Sequence, residues 1–117
     1  MQSLTRGASP ALVAMLALTL AALPAPLRHA HAQPAAAQVR IASFTFSPKT
    51  ITVPVGAALT WSNDDDVPHT VVATDGSFRS KPLDTGDKFS VTFTKPGEYT
   101  YFCSIHPMMT GKVVVKG

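Results

Sequence analysis

Past residue 32 the chain holds two histidines, His69 and His106, one cysteine, Cys103, and two methionines, Met108 and Met109. Four of these five lie between positions 103 and 109, in Cys103-Ser104-Ile105-His106-Pro107-Met108-Met109. Cys-x2-His-x2-Met is a loop spacing. It lets three side chains fold around one point while the loop ends stay anchored in flanking strands. His69, in Val67-Pro68-His69-Thr70-Val71, is the fourth candidate. Two imidazoles, a thiolate and a thioether form a mixed, soft donor set. Structural zinc usually takes four Cys/His ligands and rarely a thioether. Two His and one Cys in a plane with a weak axial Met match type 1 copper. Thiolate and thioether suit Cu(I), and imidazole suits both oxidation states. Such a set leaves no open position for a substrate, so it passes electrons rather than transforming molecules.

A single cysteine excludes an internal disulfide framework, a Cys-x2-Cys zinc site and haem attachment. Taken singly, each of these residues has an ordinary reading: a surface or core histidine, a buried small thiol, or a gap-filling methionine. Those readings must all hold together to dismiss the site. Met109 suits the axial role better than Met108, which stands one loop residue closer to Cys103. Asp64-Asp65-Asp66 lacks the spacing of a calcium loop and reads as a solvated turn begun by Asn63. It can weakly steer a basic partner, in a salt-dependent way. A Cys103/His hydrolase needs a base, an orienting group and a cleft; no cleft is evident, and the two residues share one tight loop.

The elements that must position these residues are strands. Phe89, Val91 and Phe93 alternate, as do Ile51, Val53 and Val55, and then Leu59 and Trp61. Tyr99, Tyr101 and Cys103 share one face, and Thr100 and Phe102 the other. Val39 and Ile41 are out of phase with Phe44 and Phe46, which predicts a bulge or bend near Ala42-Ser43. Turn residues recur at Pro48, Gly56, Asn63–Asp66, Asp75-Gly76, Gly86-Asp87, Pro96-Gly97 and Gly111. Short strands at this spacing, without helical periodicity, predict an all-β Greek-key sandwich. Thr94 to Tyr99 reads as a tight corner capped by the Tyr99 hydroxyl.

The 117 residues carry 10 Lys+Arg and 7 Asp+Glu, a formal charge of +3. Residues 1–32 read as a secretory signal: Arg6, the apolar run Ala11–Leu23, and the small-x-small Ala30-His31-Ala32. Cleavage after Ala37 is an alternative. The run is shorter than the roughly 18 residues of a membrane span, so stable membrane insertion is not expected after processing. Residues 33–38 form an Ala/Pro linker and 39–117 one domain. Without residues 1–32 the net charge falls to about +1, with the basic residues scattered, so there is no case for nucleic acid. The expectation is a monomeric periplasmic or secreted protein. Its small core would gain stability from a bound metal.

With these residues in place, the segment from Tyr101 to Lys112 resembles the copper loop of the cupredoxins, above all of their amicyanin subgroup. Shared features are Cys-x2-His-x2-Met, Pro after the His, and Gly-Lys-Val-Val-Val near the end of the chain. The Trp61-Ser62-Asn63 to Pro68-His69 and Pro96 to Tyr101 stretches fit the same family. The resemblance implies one copper, with His69, Cys103 and His106 equatorial and Met109 axial. It also implies ligation through Nδ1, with the far edge of His106 serving as the port for electrons. Pro107 and Met108 would flank that port as an apolar docking patch. The partner would be a c-type cytochrome, a quinoprotein dehydrogenase or a copper enzyme. Phe102 reads either as a second route or as a half-buried strand aromatic. Many cupredoxins have Asn where Thr70 stands; the Thr70 N–H can still donate to the Cys103 sulfur and its hydroxyl can still reach Ser104, but the tether between that segment and the copper loop is expected to be looser. The competing readings are a copper-delivery protein using the same ligands and a metal-free interaction module of immunoglobulin type.

Overall fold

The computed structural model describes residues 36–117, together with 7, 10, 11, 14 and 17–25. Arg6, Ala30–Ala32 and the first residues of the expected linker lie outside the described residues. Among those described, no helix is long and apolar enough to cross a membrane.

Eight strands form two four-stranded sheets packed as a sandwich. They are β1 (Ala37–Ala42), β2 (Thr45–Ser47), β3 (Thr50–Pro54), β4 (Ala58–Asn63), β5 (Val72–Ala73), β6 (Lys88–Thr92), β7 (Gly97–Phe102) and β8 (Thr110–Lys116). One sheet runs β2-β1-β4-β6 and the other β3-β8-β7-β5. Both are mixed: β1 pairs parallel with β4, and β3 with β8. Alternation dictates which side chains face inward. Val39 and Ile41 of β1, Leu59 and Trp61 of β4, Tyr101 of β7, and Val113 and Val115 of β8 are buried. Trp61 and Phe46 meet the Tyr101 ring edge-on, at centroid distances of 5.4 and 4.7 Å. Contacts of this kind contribute about 0.5–1.5 kcal/mol each beyond area burial.

The first strand begins at Ala37, ahead of the Val39 expected from side-chain pattern. The backbones of Ala37 and Gln38 pair with Leu59 and Thr60 although their side chains carry little apolar signal. The phase slip at Ala42-Ser43 is a hairpin rather than a bulge. Ala42 pairs with Thr45, so Ser43 and Phe44 form a two-residue loop. Both have positive φ, 51° and 57°, as a type I′ turn requires. A bulky residue rarely occupies that region. The tyrosine corner is present: the Tyr99 hydroxyl donates to the Lys95 carbonyl at 2.8 Å.

β7 and β8 lead directly into and out of the 103–109 loop. Gly111 sits opposite Tyr101 in that pair. A Cβ there would run into the Tyr101 ring, so only glycine lets this ring settle beneath the loop.

Candidate metal centre

Cys103 follows the last residue of β7 and is fully buried. Its backbone N–H donates to the Met109 carbonyl at 3.0 Å, and the Met109 N–H donates to the His106 carbonyl at 2.9 Å. These two bonds close the loop on itself. His69 precedes β5 and is held by a reciprocal backbone pair with Leu83, at 3.1 and 2.7 Å. Asn63, also buried, shapes the turn between. Its amide donates to the carbonyls of Val67 and Leu83, and its oxygen accepts from the Asp65 N–H.

These supports bring three donors together. The Cys103 sulfur lies 3.8 Å from Nδ1 of His69 and 3.8 Å from Nδ1 of His106. The three ligand atoms lie within 4.8 Å of one another. Donors about 2.0–2.3 Å from one ion stand about 3.5–3.9 Å apart when spread around a trigonal plane. The observed spacing fits a single small ion, and two nitrogens with one sulfur fit copper. Met109 is buried beside them, whereas Met108 is 94% exposed. The methionine nearer Cys103 in sequence therefore faces solvent. The cluster of His69, Cys103, His106 and Met109 is suited to hold a copper ion.

The sulfur is prepared as an anion. Burial pushes the Cys103 thiol up, but the Thr70 N–H and the two imidazoles outweigh it and hold the thiol down at about 6. The Thr70 N–H approaches the sulfur at 3.4 Å. The Thr70 hydroxyl accepts from the Ser104 N–H at 2.7 Å and meets the Ser104 hydroxyl at 2.8 Å. Thr70 thus ties the His69 segment to the loop through a shorter side chain than asparagine.

Residues 11–115 match the family described as Cupredoxin-like domain. The chain belongs to the cupredoxin family. Amicyanin-alpha of Methylorubrum extorquens is 36% identical over 84 residues, covering 68% of this chain and 71% of that protein. A purple cupredoxin from Nitrosopumilus maritimus is 38% identical at a TM-score of 0.64, covering 68% of this chain and 99% of that one. A copper-containing nitrite reductase from Thermus scotoductus is 34% identical at a TM-score of 0.67. It covers 72% of this chain but only 23% of the reductase.

Two residues of this cupredoxin's site escape sequence reasoning. Phe44 stands edge-on to both imidazoles, with centroids 5.3 Å from His69 and 5.0 Å from His106. Asp65, read as part of a solvated turn, points inward instead. Its Oδ2 lies 2.8 Å from Nε2 of His69. Its neighbour Asp64 does face solvent, paired with Arg40 at 2.6 Å. A carboxylate bonded to a ligand imidazole is a common arrangement, but nothing in the sequence marks Asp65 out from Asp64 and Asp66. Phe102 is half-buried on the outer face of β7.

Proposed function

We propose that this cupredoxin is an exported type 1 blue-copper electron carrier that moves single electrons between periplasmic redox proteins. Copper, when bound, supplies the one-electron couple. His69, Cys103 and His106 would hold it, with Met109 as a weaker fourth donor. The observation that carries the reading is the convergence of two Nδ1 atoms and one sulfur within 4.8 Å. The chain's own part is rigidity: a closed loop, a pinned His69 and a hydrogen-bonded sulfur resist rearrangement between oxidation states.

His106 is half-buried, and exposed apolar side chains surround it: Phe44, Ile105 and Met108. Together with Pro107 they offer a patch for brief docking of a redox partner. A c-type cytochrome, a quinoprotein dehydrogenase or a copper enzyme fits this role. The nitrite reductase neighbour is a far larger chain, of which this one covers 23%. The burial of His69 and Cys103 favours the carrier over copper delivery, which needs ligands that let go. Copper titration with optical and EPR spectra tests the reading. One equivalent gives an intense blue, narrow-hyperfine species, and Cys103→Ala abolishes it. A pale complex of ordinary hyperfine width refutes a type 1 site.

A further inference from the structure

We infer that Asp65 is a positioning residue for the metal centre: one carboxylate fixes the imidazole of His69 and the hairpin tip that carries Phe44 over both histidines. The inference rests on the copper reading above and concerns residues that contribute no ligand atom.

The geometry is that of a three-way clamp. Oδ1 of Asp65 accepts from the Ser43 N–H at 2.6 Å. Oδ2 accepts from the Phe44 N–H at 3.0 Å and from His69 Nε2 at 2.8 Å. The Asp65 side chain is 13% exposed and that of His69 is wholly buried. Both peptide groups belong to the two residues with positive φ. The strained turn is therefore held by the same oxygens that hold the ligand.

Tautomer chemistry makes the carboxylate hard to replace. Nδ1 of His69 faces the Cys103 sulfur and must present a lone pair to a metal. The proton of the neutral ring then sits on Nε2, which must donate. Asp65 thus serves three donors with two acceptor oxygens. An asparagine has one acceptor oxygen and an NH2 group. Whichever way it turns, the NH2 faces at least one N–H. Removing the carboxylate also removes a negative charge hydrogen-bonded to the ligand ring, which favours the cuprous state.

The edge contacts of Phe44 extend the clamp to the second imidazole. Its ring, 49% exposed, lies between solvent and the two histidines. It keeps that place only while residues 43 and 44 hold the left-handed turn.

The test compares the wild-type chain with Asp65→Asn and Asp65→Glu. Copper-loaded protein gives the reduction potential and the rate of copper loss to a chelator. Copper-free protein gives amide exchange at Ser43 and Phe44 and the 15N shifts of the His69 ring. Asp65→Asn is expected to stay blue, raise the potential, and lose copper about 10–100-fold faster. In the copper-free chain it accelerates exchange at both amides. Asp65→Glu, which keeps the charge, restores the potential toward wild type. Faster exchange with an unchanged potential makes Asp65 a turn-former only and overturns the proposal. A shifted potential with protected amides overturns the shared clamp. Should Asp65→Asn fail to fold, a wild-type potential in Asp65→Glu supports the proposal, and a potential displaced upward despite the retained charge overturns it. If wild-type protein never forms the blue complex, the copper reading fails, while the copper-free ring and amide data still decide the clamp.

Discussion

The two imidazoles of the centre occupy opposite surroundings. His69 is wholly buried, bonded through its backbone to Leu83 and through its ring to Asp65. His106 is half-buried in a loop beside Ile105, Pro107 and Met108, the last 94% exposed. One wall fixes donor geometry, and the other borders solvent. A site made wholly of the first kind would hold a metal beyond a partner's reach. One made wholly of the second would rearrange with each change of charge. The pairing shows how a chain this small can hold an ion firmly and keep one edge of it close to the surface.

Gly111→Ala, beneath the loop that carries Cys103 and His106, strikes hardest. The new Cβ would collide with a Tyr101 ring that is itself buried and packed against Trp61 and Phe46. Overpacking of this severity costs about 3 kcal/mol or more, read as a lowered urea midpoint.

Acid should loosen the buried wall next. The Cys103 thiol is lowered from an ordinary 9.0 to about 6. A depressed thiol contributes stability that is full above pH 9 and lost as pH falls through 6. The copper-free chain is therefore expected to grow more stable between pH 6 and 9, and Cys103→Ser to flatten that slope. Copper uptake displaces the thiol proton, so affinity should fall about tenfold per pH unit below 6. Competitive chelation across that range measures it.

Met108→Ala is the smallest change and isolates the exposed wall. Stability is expected to stay within about 0.5 kcal/mol, and the blue spectrum to stay unchanged. Electron self-exchange, read from NMR line broadening of mixed oxidation states, should slow. An unchanged rate would move the docking patch elsewhere.

His69, Cys103, His106 and Met109 were legible because donor chemistry and local spacing are properties of the chain itself. The sandwich was legible from alternation, which the core at Val39, Ile41, Leu59, Trp61 and Val113 follows. Phe44 and Asp65 were not. Phe44 reaches the histidines only because a two-residue turn with positive φ brings position 44 to positions 69 and 106. Asp65 sits in a run of three aspartates whose composition says water, and only the backbone path separates it from Asp64. The start of β1 at Ala37 was also hidden, since it depends on backbone pairing with β4 rather than on apolar side chains.

The hairpin tip also bears on protein engineering. Asn-Gly is the sequence that relaxes a type I′ turn, and a redesign for sturdiness would install it at positions 43 and 44. The product would be harder to melt and would lack the aromatic ring that stands over His69 and His106. Ser43-Phe44 is thus a place where thermal resilience and redox behaviour pull the sequence in opposite directions.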